Sequence, residues 1–149
     1  MLRNLAFVVT TALVLATAAL AGTPQYGTAA EARAMLEKAA AAVQANKTQA
    51  LADFNSGAGG FHDRDLYVFC ADASDGVATA HPVHKGKLLK DFKDAKGFAF
   101  GAEIISTAAE GTIGEVSYLW PRPGSDAPVE KVSFFTKIAD QICGVGYYK

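Results

Sequence analysis

Cysteine is nearly absent. Only Cys70 and Cys143 occur in the 149 residues, with a single tryptophan, Trp120. Two cysteines so far apart exclude CxxC redox chemistry, and no CxxCH segment can attach a c-type haem. Charge excess of either sign is also lacking: 14 Lys and Arg oppose 15 Asp and Glu, for a formal net charge of −1. That balance gives no electrostatic footprint for nucleic acid or an anionic membrane surface. After the first 21 residues no apolar run approaches the ~20 needed to span a bilayer. Phosphate-loop, GxSxG, HExxH and Ser-His-Asp patterns are missing, so no enzyme activity is expected. His81-Pro82-Val83-His84 is a poor metal site. Zinc needs three or four converging ligands, and the proline opposes a helical i, i+3 pair. No metal or cofactor is expected.

What is present begins with a secretory pattern. Arg3 is followed by an apolar or small-residue run over residues 5–20, interrupted only by threonines, and then by Ala19-Leu20-Ala21. This predicts a signal peptide over residues 1–21, cleaved after Ala21. The alternative is an uncleaved anchor, for which the run is short. No cysteine follows the site, which argues against a lipoprotein. Residues 22–149 then form one domain large enough for a core, located in the periplasm or secreted. In that oxidising compartment a Cys70–Cys143 disulfide is the first expectation, against two buried free thiols. Such a bond would contribute about 4 kcal/mol by chain entropy.

The mature chain opens with a capping box, Thr28-Ala29-Ala30-Glu31. Apolar residues follow at Ala32, Met35, Leu36, Ala39 and Val43, which is one face of a helix. Asn46-Lys47-Thr48 interrupts the pattern, and Leu51 and Phe54 resume it as a shorter helix or a bent continuation. Residues 55–60 form a glycine-rich break. Six apolar or aromatic residues over 66–71 read as a strand buried on both faces. Ser74-Asp75-Gly76 turns the chain into a hairpin partner at residues 77–81, ended by Pro82. Residues 82–97 are lysine-rich and irregular, with one helical turn near residues 86–91, and residues 98–109 carry helical spacing. Three strands follow, at 114–120, 129–138 and 142–148. Val116, Tyr118 and Trp120 share one face of the first; Lys131, Ser133 and Phe135 share one face of the second. Gly144 and Gly146 mark places where another backbone or a ligand comes close. Hairpin-joined strands with helices grouped apart indicate α+β architecture on an antiparallel sheet.

Several short segments, taken in order, carry a resemblance. They are DRDLYVF at 63–69, AH at 80–81, GKLL at 86–89, KD at 93–94 with Gly97, YLWP at 118–121, Lys131, and GVGYYK at 144–149. In this the chain resembles the single Cache domain (type 2), an extracytoplasmic relative of the PAS fold. The resemblance covers essentially all of residues 22–149. It implies a five-stranded antiparallel sheet in the order 2-1-5-4-3, a long N-terminal helix on one face and a helical or loop insert on the other. That order makes the strands bearing Cys70 and Cys143 neighbours, so the bond becomes geometrically possible if the two are in register. The resemblance also implies binding of a small extracellular molecule, often a short organic acid, beneath the insert. Such domains commonly precede a second membrane span and a cytoplasmic output module. This sequence shows neither, so it is expected to sense without its own transmembrane output and to present its ligand to a membrane sensor or transporter. The alternative is a structural or protein-interaction module with no ligand.

Anions in a mostly apolar pocket require cationic or donor groups. Lys131, Tyr118 and Trp120 qualify from the strand faces. Tyr67, His81 and Arg64 are added by the position the resemblance gives them. Against this, aromatics of this kind commonly serve as core, and Lys131 and Arg64 as surface charges. The lysines of 85–96 alternate with Asp91 and Asp94 and read as a solvated lid.

Overall fold

A computed structural model of the chain describes residues 25–149. The signal peptide expected over residues 1–21 lies outside them. Helix α1 spans Ala29–Ser56. Strands β1 (His62–Asp63), β2 (Leu66–Asp72) and β3 (Ala78–Ala80) follow, then helix α2 (Phe100–Thr107) and strands β4 (Gly114–Pro121), β5 (Pro128–Ile138) and β6 (Gln141–Tyr148). Among the described residues no helix is long and apolar enough to cross a membrane.

The capping box forms as the sequence predicts. Thr28 accepts from the Glu31 amide, and the Glu31 carboxylate accepts from the Thr28 amide. The interruption at Asn46 is a bend rather than an end: Asn46 leaves helical geometry (φ −160°, ψ 92°). Its side-chain oxygen then caps the second half by accepting from the Gln49 amide at 3.1 Å. The C-terminus closes on Gly57 in the left-handed region, φ 73°.

The sheet runs β3-β2-β6-β5-β4, antiparallel throughout, which is the expected order. One correction applies: among the described residues there are six strands, not five. β1 pairs with the start of β2, His62 opposite Tyr67 and Asp63 opposite Leu66. Arg64, at φ 55°, helps make the two-residue turn between them. A two-residue strand of charged type gives no periodicity to read.

The sheet has two unlike faces. On one, α1 buries Ala32, Met35, Leu36, Ala39, Val43 and Phe54 against Leu66, Val68, Cys70, Cys143 and Val145. Cys70 and Cys143 stand directly opposite on β2 and β6 and are disulfide-bonded. On the other face, Tyr67, Phe69, Tyr118, Phe135 and Ile142 meet Leu89, Phe100 and Ile104 from the insert and α2.

Candidate functional site

The site is built on the face away from α1. Strand alternation puts Lys131, Ser133 and Phe135 of β5 there, beside Tyr118 of β4 and Tyr148 of β6. Lys131 pairs with Tyr118 on one side and with Tyr148 on the other. Its side chain is only 1% exposed. It can lie flat on the sheet because β6 carries glycine at the crossing point. A Cβ on Gly146 would stand 2.3 Å from Lys131 Cε and 2.6 Å from Ser133 Oγ. The close approach expected at Gly146 from a backbone or a ligand is made instead by the lysine stem. At Gly144 it is made by the Phe69 ring, 2.4 Å from where a Cβ would sit.

Lys131 Nζ donates to Tyr67 Oη at 3.0 Å. It also lies 4.3 Å from the Tyr67 ring centroid and 4.8 Å from that of Tyr148. Among the described residues it has no ion-pair partner. Burial therefore lowers its pKa to about 7, opposed by the field of Asp65. Asp65 is itself buried. Its Oδ1 accepts from the Gly27 amide at 2.7 Å, and among the described residues its Oδ2 has no hydrogen-bond partner. Tyr118 shares a 2.8 Å hydrogen bond with Ser133 Oγ. Burial pushes the Tyr67 phenol up to about 12, and the Tyr118 phenol further in the same direction.

His81 is held as a neutral ring. Burial first, then the nearby His84 and Lys131 charges, lower its pKa to about 3. Its Nδ1 accepts from the amides of Val83 (3.0 Å) and His84 (3.1 Å). The proton then resides on Nε2, which is a donor at the site.

Two connected spaces adjoin these groups. The inner one, between sheet and insert, is lined by Tyr67, Tyr118, His81 and Trp120 and closed by Phe92 and Phe100. Only about 20 Å³ remains open there, enough for one water. Phe100 fills it by stacking on Tyr118, centroids 3.8 Å apart and planes 4° apart. The outer one is a cavity of about 390 Å³ between the 81–84 turn and the 121–126 loop. Tyr67, His81 and Trp120 line both.

Of the six residues singled out from sequence, five come together here. Tyr67, His81, Trp120 and Tyr118 line the spaces, and Lys131 lies directly behind Tyr67. Arg64 does not join them. It pairs with Glu31 and Asp63 at 2.7 Å and donates to the Tyr26 carbonyl, fastening the start of α1. Sequence reasoning missed Phe92 and Phe100, which fall in the irregular 82–97 stretch and the 98–109 helix and carry no signal that they face the sheet. It missed His62 and His84, which line the outer cavity. It also missed Arg122, set between prolines in what reads as a plain loop.

The model of the family described as "Cache domain" matches residues 31–148. The chain is 32% identical over 91 residues to the methyl-accepting chemotaxis protein McpP of Pseudomonas putida; the match covers 58% of this chain and 17% of that relative's length. Among solved structures it is similar to a methyl-accepting chemotaxis protein from Vibrio parahaemolyticus, with a TM-score of 0.65, 26% identity and coverage of 80% of this chain and 86% of that one. A second, described as the periplasmic sensor domain of a chemotaxis protein, gives 0.60 at 27% identity, covering 78% and 87%. A third, described by carboxylic acid recognition in a Cache chemosensory domain, gives 0.57 at 26% identity, covering 78% and 85%.

Proposed function

The chain belongs to the Cache domain family, and on that premise we propose that it is an extracytoplasmic sensing module that binds a small carboxylate by its non-helical sheet face. It acts by binding rather than by turnover, and hands its state to a membrane sensor or transporter. The observation that carries this reading is Lys131. An amine 1% exposed, bonded to one phenol and facing no ion-pair partner, is a costly arrangement for a purely structural residue. A carboxylate arriving at the site supplies the missing counter-charge. Tyr118, Tyr67 and the Nε2–H of His81 are the donors proposed to fix it, and Trp120 the apolar wall. That a similar domain is described by carboxylic acid recognition supports the choice of ligand class. Arg64 serves instead to hold α1.

Binding in the inner space requires Phe100 to leave Tyr118, so the insert moves when the ligand enters. The same closed packing favours one alternative, an interaction module that binds no small molecule. A thermal-shift screen of short carboxylates and amino acids separates the two. A true ligand at 100 times its dissociation constant adds about 2.7 kcal/mol of stability. No shift from any compound at millimolar concentration would leave the interaction module standing.

A further inference from the structure

The outer cavity contains a cation that the carboxylate reading does not use. Arg122 lines the cavity that Tyr67 and His81 also line. Its guanidinium is stacked between two rings, 4.0 Å from the Tyr26 centroid and 4.9 Å from that of Tyr148. One long bond, 3.4 Å, runs from Nη2 to the Lys149 carbonyl. Among the described residues no Asp or Glu side chain pairs with it. Ring stacking holds the plane of a guanidinium and leaves its N–H edge for a planar anion. At about 390 Å³, the cavity is also far roomier than a two- or three-carbon acid needs.

We propose that Arg122 is a second anion-binding point, so that the preferred ligand is a carboxylic acid bearing another acidic group at its far end. One carboxylate meets the Lys131, Tyr67 and His81 group; the other meets the edge of Arg122. This rests on the reading of that face as a carboxylate site. One group opposes it. Asp126 lies on the same cavity wall, exposed at the rim, and its charge repels a second carboxylate. Replacing it with the neutral amide should therefore tighten binding of a diacid.

Trp120, the chain's single tryptophan, lines both spaces and reports occupancy by its fluorescence. The test titrates the protein with straight-chain monoacids and with α,ω-diacids of matched length, from three to six carbons. Wild type should bind one diacid length at least tenfold tighter than its monoacid, the scale of one charge-assisted hydrogen bond. Arg122→Gln should reduce that advantage to under threefold, weakening the diacid far more than the monoacid. Arg122→Lys, which keeps charge but loses the fork, should fall between, and Asp126→Asn should strengthen the diacid. Circular dichroism of each variant checks that stacking on Tyr26 is not needed for folding. Equal mono- and diacid affinities in wild type would overturn the second point while sparing the carboxylate site. So would equal weakening of both acids in Arg122→Gln. Weaker binding of the best ligand in Asp126→Asn would overturn it in favour of a zwitterion. Binding of no acid at all would remove the underlying carboxylate site and the second point with it.

Discussion

The two faces of one sheet solve opposite problems. The face under α1 is an apolar core: alanines let the helix sit close, Leu36 and Val68 are fully buried, and the Cys70–Cys143 bond ties β2 to β6. The opposite face buries polar groups among its aromatics. Tyr118 bonds Ser133 and Lys131 bonds Tyr67, and among the described residues the amine has no ion-pair partner. One face holds the fold together; the other, on the proposed reading, is completed by a ligand that arrives. Alternation along β2, β5 and β6 lets adjacent residues do both, since Cys70 lies next to Phe69 and Val132 next to Lys131 but on opposite sides.

The comparison breaks first at the disulfide. It closes a loop with a sequence separation of 73. Cys70→Ala with Cys143→Ala should therefore lower unfolding free energy by about 4 kcal/mol in denaturant titrations. Ligand affinity of the molecules still folded should be unchanged, because both sulfurs lie on the helix face. A comparable loss of affinity would mean that the faces are not separable.

The next effect is at Lys131. Lys131→Met should weaken carboxylate binding roughly thirtyfold, about 2 kcal/mol, without unfolding the domain. Its effect on stability has a definite sign. The amine's pKa is lowered in the fold, to about 7, so between about pH 7 and the ordinary lysine range the unfolded chain binds more protons. Stability from this group therefore rises with pH across that window, and the penalty is fully present below it. Lys131→Met should be more stable than wild type at pH 6, and the gap should shrink by pH 9. A constant gap would assign the lysine an ion-pair partner in solution.

The smallest effect tests the helix face alone. Thr28→Ala removes the cap on α1 and should cost about 1 kcal/mol, with no change in affinity.

Much of the sheet was legible before any coordinates, because its signals are local. Continuous apolar residues at 66–71, alternation at 114–120 and 129–138, and the Ser74-Asp75-Gly76 turn each mark an element by themselves. The same alternation placed Lys131, Tyr118 and Trp120 together. The illegible parts depend on distant docking. Arg64 looked like a mouth residue, but the turn at φ 55° and the ion pair with Glu31 put it against α1. Phe100 on Tyr118 requires α2 to dock across the sheet, and Arg122 gains its role only because Tyr26 and Tyr148 meet around it. Asp65, whose field reaches Lys131, stands immediately before β2 with nothing in the sequence to mark that role.

Proton uptake on binding tests most directly whether Lys131 awaits an anion. Calorimetry at pH 8, run in two buffers of different ionisation enthalpy, measures it. With a free amine near pH 7 and a bound ammonium well above it, wild type should take up nearly one proton (~0.9) per carboxylate bound. Lys131→Met should take up none. Binding of the same acid with no proton uptake, and at full affinity in Lys131→Met, would contradict the proposed site.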